Sequence, residues 1–218
     1  MHLSIRFNLK TFGLFLCAMF ITAFGFAQDY KPLANASAFV AAYQKAAESH
    51  ETLSATYVQN KHLSYMNKPI QSDGIFYASG QDKIRWEEVK PNSNILIMNG
   101  EMAYVVKDGE TEAFDLSKNR QFSMINEMMS SVLSGDLADN EDFEITFFES
   151  ASGYKVHLVP EKKMVRKFVA MVELVVAKNT YFLDNMTMSE ADGNSTEILF
   201  SNQKANLPLE MTIFEPTN

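Results

Sequence analysis

Cysteine is almost absent from this chain of 218 residues, and the single one, Cys17, lies within an apolar N-terminal stretch. The rest of the chain therefore has neither a disulfide nor a thiol nucleophile, and its stability depends on its core alone. Basic residues are also few, 19 against 27 acidic ones. Because nucleic-acid binding needs clustered Lys and Arg to neutralise phosphates, this balance argues against a nucleic-acid partner.

The chain has only one long apolar run, at its N-terminus. This run has the form of a secretory signal peptide. Two basic residues precede the apolar run of residues 12–24, and small residues at −3 and −1 suit cleavage before Gln28. The run is shorter than the roughly 20 residues of a permanent membrane-spanning helix. We therefore predict that residues 1–27 are cleaved, which removes two positive charges and takes the formal net charge from −8 to −10. Residues 28–218 are predicted to form one exported domain.

Catalytic and metal-binding motifs are missing too. The predicted mature chain has three histidines, His50, His62 and His157, and none has the HxxxH or HxH spacing that brings two imidazoles to one metal. It has no Gly-x-Ser-x-Gly elbow, no phosphate-binding glycine loop and no GxGxxG motif. We predict a binding protein for an apolar ligand, without enzymatic activity, cofactor or metal. A hydrolase stays open only if the fold brings His62 or His157 to a serine and an acid.

The hydrophobic periodicity changes from helical to strand-like near residue 50. Apolar residues recur at three- and four-residue spacing over residues 35–50, which predicts a helix capped by Asn35 or Ser37. From Leu53 the period becomes two and continues to Tyr65, which predicts one long, half-buried strand. The same period predicts two further strands, at residues 75–78 and 84–89.

Two dipeptides mark tight hairpins in the middle of the chain. Asn99-Gly100 and Asp108-Gly109 accept the positive φ values of two-residue type I′ turns. They separate predicted strands at residues 95–98, 102–106 and 111–116, and later strands are predicted at residues 143–148, 154–159, 168–177, 181–189 and 196–201. Short strands at near-regular spacing predict an antiparallel sheet or barrel rather than a βαβ fold.

One helical segment, residues 117–133, interrupts the strands and ends at Ser134-Gly135. Methionine side chains are flexible and polarizable, so they repack around ligands of varied shape. Two interpretations are open at this point: a lid over a curved sheet, or ordinary core packing. One face of the predicted helix carries Met124, Met128, Met129 and Leu133.

Several short motifs follow one another in a fixed order from Leu53 onward. The most specific is the series of Arg85-Trp86, Pro91 and Asn99-Gly100. The others are Tyr57-Val58-Gln59, Gly74-Ile75-Phe76-Tyr77, Leu133-Ser134-Gly135 and Tyr154-Lys155-Val156-His157-Leu158-Val159-Pro160. In this order they resemble the LolA family of periplasmic lipoprotein carriers.

The resemblance implies a mainly β (α+β) fold: an incomplete, strongly curved antiparallel β-barrel with an N-terminal helix and a helical lid. It implies a monomeric periplasmic carrier that holds the acyl chains of lipoproteins, or other acylated lipid cargo, in an apolar cavity. Such a carrier receives its cargo from an inner-membrane release complex and delivers it to an outer-membrane acceptor. The cavity residues expected here are Tyr57, Phe76, Trp86, Met98 and Tyr104, and the lid residues are Met124, Met128, Met129 and Leu133.

One position departs from the family pattern. Well-known members have an arginine six residues after the glycine that matches Gly74, and this arginine helps to hold the lid closed. The present chain has Gly80 there, and Arg85 is the nearby basic residue considered for gating. Related folds leave open a lipid-sensing or protein-interaction module, or a glycolipid-handling carrier.

A basic cluster stands out on this acidic chain. Its members are Lys162, Lys163, Arg166 and Lys167. They predict either a solvated loop between strands or an electrostatic docking patch for an acidic partner.

Overall fold

The computed structural model describes residues 29–137 and 142–216, so the predicted signal peptide, at residues 1–27, lies outside it. Within the described residues, the helices are α1 Ala36–Glu48, α2 Arg120–Ser134 and α3 Lys163–Arg166, with a 3₁₀ helix at Met211–Phe214. The strands are β1 Lys31–Pro32, β2 Thr52–His62, β3 Ile70–Ser79, β4 Lys83–Lys90, β5 Asn94–Asn99, β6 Met102–Lys107, β7 Glu110–Asp115, β8 Phe143–Glu149, β9 Gly153–Pro160, β10 Met171–Ala177, β11 Leu183–Ser189 and β12 Ser195–Ala205.

All twelve strands belong to one antiparallel sheet that is not closed. Its order is β1-β8-β9-β10-β11-β12-β2-β3-β4-β5-β6-β7, so β1 and β7 are its two edges. The first long strand, β2, pairs with the last, β12, and this long-range pairing joins the two halves of the sheet. The predicted incomplete antiparallel barrel with an N-terminal helix is therefore confirmed.

The sheet curves around α1 and α2, because one face of nearly every strand contributes to the same core. Alternate residues of a strand point to opposite faces. The inward set runs from Phe143 at one side of the sheet to Phe114 at the other, and both side chains pack in one cluster with the two helices. We call this face the concave face and the other the convex face.

The start of α1 and the end of α2 have the local signals that the sequence predicts, whereas the Asn119 cap of α2 was not predicted. The Asn35 side chain accepts a hydrogen bond from the Ser37 N–H at the start of α1, and Asn119 does the same for the Phe122 N–H of α2. Gly135 ends α2 in the left-handed conformation, with φ 76°. Among the described helices, none has the length and apolar character needed to cross a membrane.

Several predicted boundaries were wrong. The strand predicted to reach Tyr65 ends at His62, and the Tyr65 side chain is 80% exposed. The hairpin predicted at Asn99-Gly100 turns one residue later, because Asn99 pairs with Met102 in the sheet. Gly100 takes φ 59°, which glycine adopts without strain, whereas the Asp108-Gly109 turn has two positive φ values as predicted.

The structure also adds short elements that periodicity does not predict. The strand predicted from residue 168 begins at Met171, since residues 163–166 form the single turn α3. The 3₁₀ helix near the C-terminus lies on the convex face. There the Ile213 carbonyl accepts a hydrogen bond from Arg85 Nη1 at 3.0 Å, and the buried Phe214 carbonyl accepts one from Asn99 Nδ2.

Candidate functional site

The concave face carries an aromatic wall across β12, β2, β3 and β4. The Trp86 ring lies 5.3 Å from Tyr57, 5.2 Å from Phe76 and 5.9 Å from Phe200, measured between ring centroids. Most of these contacts are edge-to-face, the arrangement that aromatic quadrupoles favour. The register explains the cluster, because Phe76 is paired with Trp86 and Phe200 with Tyr57 on neighbouring strands.

A glycine in β3 makes room for this wall. Gly74 is the sheet partner of Tyr57, and the Tyr57 ring lies across it. A Cβ atom at Gly74 would overlap the Tyr57 ring and the backbone carbonyl of Glu87. The glycine of the Gly-Ile-Phe-Tyr motif therefore has a packing reason, which is close approach by an aromatic ring.

Helix α2 covers the concave face. All four methionine and leucine residues predicted for the lid pack against the core: Met129 is buried, while Met124, Met128 and Leu133 are half-buried. Ring contact at 4.7 Å between Phe114 and Phe122 links the start of the helix to β7. These residues are therefore part of the packed core, and their role as a lid stays a prediction.

The C-terminal half of α2 is fixed to α1 by a specific contact. The Tyr43 hydroxyl, which is buried, donates a hydrogen bond of 2.8 Å to the Val132 carbonyl. This carbonyl belongs to the last turn of the helix, where carbonyls have no partner within the helix. No described side chain of the N-terminal half is buried up to Met128, and Glu127 is exposed, whereas Met129 and Val132 are buried. The two halves of the lid are therefore held unequally.

Little free space remains beneath the lid. A cavity of about 60 Å³ lies between the end of α1, the C-terminal half of α2 and the start of β2. Its lining is mostly apolar and includes Tyr43, Leu53, Met129, Leu133, Leu183 and Phe200. This volume admits a few water molecules. A second space, of about 140 Å³, lies beside the N-terminal half of α2 among Met124, Phe143 and Val165, so side chains fill most of the interior.

Ionisation does not bring charge into this interior. Burial raises the pKa of the Tyr43 phenol, and burial together with the nearby Glu88 and Glu87 carboxylates raises the pKa of Tyr57. Both phenols are therefore neutral at physiological pH. The site offers apolar surface and neutral hydroxyls, which suits a hydrocarbon ligand.

Four of the five predicted cavity residues lie on the concave face. They are Tyr57, Phe76, Trp86 and Met98. The fifth assignment, Tyr104, was wrong: its neighbour Ala103 points into the core, so Tyr104 points to the convex face beside Ile97. Ligand contact by the other four stays a prediction.

The gating role considered for Arg85 does not agree with its position. Arg85 lies on the convex face, where its guanidinium binds Glu87 at 2.7 Å and the Ile213 carbonyl. The sheet separates it from α2, so it holds the C-terminal segment and not the lid. Gly80, at the position of the family's arginine, has φ 61° in the turn between β3 and β4. Helix α2 is held instead by the Tyr43 hydrogen bond and by apolar packing.

The four basic residues lie in the connection between β9 and β10. Lys162 forms an ion pair with Asp142, and Arg166 lies 3.6 Å from Glu161. Lys163 and Lys167 are exposed and have no ion-pair partner among the described residues.

The histidines do not assemble a catalytic site. His157 lies on the convex face, 2.9 Å from Glu173, which also binds Lys155 at 3.0 Å. His62 is exposed, and His50 packs against the Phe182 ring at 5.2 Å. Among the described residues, no group of His, Cys, Asp or Glu could hold a metal ion.

Two residues of the site escaped the sequence-based prediction. Phe200 completes the aromatic wall, and its signal was present because it follows Ile198 at the strand period. Tyr43 lies on the apolar face of α1, but the sequence does not show that its hydroxyl meets α2.

An open, curved antiparallel sheet whose apolar concave face is covered by a helix defines a class of binding protein for apolar ligands. One family of this class is described as outer membrane lipoprotein carrier protein LolA. The sequence model of that family matches residues 48–217 of this chain. The chain therefore belongs to the LolA family of lipoprotein carriers.

Individual relatives agree with this membership. An outer-membrane lipoprotein carrier protein of Methylococcus capsulatus is 25% identical over 170 residues, covering 77% of this chain and 78% of its own length. Another with the same description, from Chromobacterium violaceum, is 24% identical over 193 residues, or 87% of both chains. A solved structure of an uncharacterised conserved protein from Thermus thermophilus shares the fold, with TM-score 0.51 and 10% identity over 84% of this chain and 95% of its own.

Proposed function

We propose that the chain is a periplasmic carrier that binds the acyl chains of lipoproteins against the concave face of its sheet. As a monomer, it receives them from an inner-membrane release complex and delivers them to an outer-membrane acceptor. Family membership supports a carrier of lipoproteins, and the apolar face covered by α2 supports a hydrocarbon ligand. The observation that carries the proposal is this helix-covered, uncharged interior.

The cavity volume requires that the lid moves when cargo binds. Drug-sized ligands occupy pockets of about 300–1,000 Å³, whereas the spaces beside the two halves of α2 are about 60 Å³ and 140 Å³. We expect the N-terminal half of α2 to leave the sheet, since its side chains are half-buried and the Tyr43–Val132 hydrogen bond holds the other half. Acyl chains then take the place of Phe122, Met124 and Met128 against the wall.

Because side chains already fill the site, they compete with bound cargo, and this competition favours release of the cargo. Each methylene of an acyl chain gains about 0.8 kcal/mol on leaving water, so a preformed empty cavity would hold several chains very tightly. Displacing α2 exposes apolar side chains to water and offsets part of that gain. A carrier that must surrender its cargo benefits from this competition between lid and ligand.

The fluorescence of Trp86 gives a direct test, because this is the only tryptophan and it lies in the aromatic wall. We expect palmitate brominated along its chain, and a synthetic triacylated lipopeptide with brominated chains, to quench Trp86 by contact. The variant Met128→Glu places a charge on the lid, and we expect it to weaken quenching at least tenfold. The control Met102→Glu alters a half-buried methionine on the convex face and should keep wild-type quenching.

Cross-linking tests whether α2 must move. Because the predicted mature chain has no cysteine, Phe114→Cys/Phe122→Cys introduces one pair that a short bismaleimide can join, and we expect the joined protein to lose lipid uptake. The control pair Val106→Cys/Thr111→Cys joins neighbouring positions of β6 and β7 on the convex face and should not affect uptake. Unchanged uptake in the first cross-linked protein would refute lid opening. Purified protein without bound lipid that also fails to quench would refute the carrier proposal.

A further inference from the structure

We propose that two loops at one end of the sheet, residues 161–170 and 63–69, dock the protein onto the surface of an anionic lipid bilayer. Nothing in the carrier proposal requires this contact, since a carrier can exchange cargo with protein partners alone. The inference rests on exposed apolar side chains, on lysines without an ion-pair partner in the described part of the chain, and on the shared position of both loops.

The first loop exposes two large apolar side chains. Phe168 is 70% exposed and Met164 is 61% exposed. They are four residues apart in a helical turn that continues beyond α3, since the N–H groups of Phe168 and Val169 both donate to the Val165 carbonyl. Val169 is buried and Val165 is half-buried. The turn is thus anchored by its valines while its other apolar side chains face water.

Positive charge accompanies these side chains. Lys163 and Lys167 immediately precede Met164 and Phe168 in the sequence, and each is exposed without an ion-pair partner among the described residues. The neighbouring acidic groups, Glu161 and Asp142, are each within an ion pair with Arg166 or Lys162. On a chain with net charge −8, two exposed lysines thus flank two exposed hydrophobic side chains.

The second loop lies at the same end of the sheet. Residues 63–69 connect β2 to β3, and β2 reaches this end at His62, which is paired with Ser195 of β12. Met171 at the start of β10 is paired with Ser189 at the end of β11, so the β9–β10 loop also opens here. Four strand spacings separate the centres of the two loops, about 19 Å along the sheet. The second loop and its border contribute Tyr65 at 80%, Met66 at 46% and Ile70 at 47% exposure.

A bilayer surface fits this arrangement better than a protein partner. Aromatic residues with adjacent lysines are typical of side chains that enter the headgroup region, where ring and methylene groups leave water while ammonium groups meet lipid phosphates. The two loops are far apart in sequence, and both place exposed apolar side chains at the same end of the sheet. The turn between β11 and β12 lies between them and carries acidic Glu190 and Asp192, so electrostatic contact is expected at the β9–β10 loop.

Vesicle flotation tests the proposal with the protein purified after export. We expect it to float with vesicles of phosphatidylethanolamine containing 30% phosphatidylglycerol, and far less with pure phosphatidylcholine. Met164→Ser/Phe168→Ser should reduce partitioning at least tenfold. Lys163→Gln/Lys167→Gln should reduce it about fivefold per lysine, with a dependence on salt.

Matched controls separate this surface from general effects. Leu207→Ser/Met211→Ser removes two exposed apolar side chains from the opposite end, and Lys45→Gln/Lys204→Gln makes the same change in net charge elsewhere; both should float like the wild type. Failure to bind anionic vesicles would overturn the proposal, as would equal loss in the controls. Capture of an acidic protein that depends on Lys163 and Lys167, without vesicle binding, would also overturn it.

A probe at the contact gives a second measurement. Phe168→Cys and Met211→Cys each provide a single cysteine for an environment-sensitive fluorophore. We expect a blue shift on anionic vesicles for the first only, and no shift at Phe168→Cys would contradict insertion. Trp86 quenching by free brominated palmitate measures cargo binding without vesicles. The docking proposal and the carrier proposal can therefore be refuted independently of each other.

Discussion

The two faces of the sheet are built in different ways from the same strands. On the convex face, polar partners join neighbouring strands: Glu197 accepts a hydrogen bond of 3.1 Å from Asn60, and Asn60 accepts one of 3.3 Å from Gln71. On the concave face the same strands present Tyr57, Ile198 and other side chains that contact one another through apolar surface. Directional bonds fix the outer face, whereas area and shape hold the inner one.

This difference matters for a carrier. Apolar contacts are non-directional, so a hydrocarbon chain can replace a methionine on the concave face without leaving a hydrogen-bonding group unpaired. The convex bonds persist meanwhile and keep the sheet curved. Two hydrogen bonds are exceptions on the inner side. Gln59 Nε2 donates to Ser72 Oγ at 3.3 Å, and the Tyr43–Val132 bond lies at the half of α2 that we expect to stay in place.

Adjacent residues of β3 give the largest contrast between the faces. Phe76 is 6% exposed on the concave face, whereas Tyr77 is half-buried on the convex face. We expect Phe76→Ala to lower the free energy of unfolding by about 3–4 kcal/mol, because it removes a ring and leaves a cavity. Tyr77→Ala should cost about 1 kcal/mol. Urea unfolding measures both, and equal losses would show that the faces are not distinct in packing.

A second contrast compares two glycines. We expect Gly74→Ala to destabilise the fold by about 2–3 kcal/mol, because its methyl group would overlap the Tyr57 ring and force the wall apart. Gly100→Ala meets no atom within 4 Å and only places alanine at φ 59°, which costs about 1 kcal/mol. Quenching of Trp86 should change in the first variant alone. A smaller loss at Gly74 than at Gly100 would contradict the close packing described.

The anchor of the lid can be weakened by removing one oxygen. Tyr43→Phe keeps the ring but leaves the Val132 carbonyl without its partner. We expect a loss of about 1–2 kcal/mol in the free energy of unfolding and faster uptake of brominated palmitate in stopped-flow measurements. Tyr104→Phe, on the convex face, serves as the control. Unchanged uptake in Tyr43→Phe would mean that this end of α2 does not control opening.

An unpaired polar atom in the lid predicts a change in the other direction. The Asn126 side-chain oxygen is buried and has no hydrogen-bond partner among the described residues. Asn126→Leu replaces it by an apolar group of similar shape, so we expect about 1 kcal/mol more stability and slower lipid uptake. A less stable protein would show that the amide is satisfied in solution.

Particular residues show what the sequence could reveal. Period-two runs identified most strands, and Asn35 and Gly135 marked the start of α1 and the end of α2, because these signals are local. Tyr104 was misplaced, since the predicted turn at Asn99-Gly100 gave no information on which face of β6 turns inward. The Tyr43–Val132 contact joins residues 89 apart in sequence. Such a contact depends on how the two helices cross, and no local pattern contains that angle.

His50 provides the smallest expected effect, which is a change in how the stability depends on pH. The sign of this change follows from the burial of the imidazole ring. Its ring lies against Phe182 at the edge of the cavity, and desolvation lowers its pKa from 6.5. As the pH falls below about 6.5, the unfolded chain binds a proton before the folded protein does, so stability falls until the folded pKa is passed. Urea midpoints between pH 8 and pH 5 should therefore decline less in His50→Gln than in the wild type. His62→Gln removes an exposed histidine and serves as the control, whereas a wild-type decline in His50→Gln would show that His50 is not the source of the pH dependence.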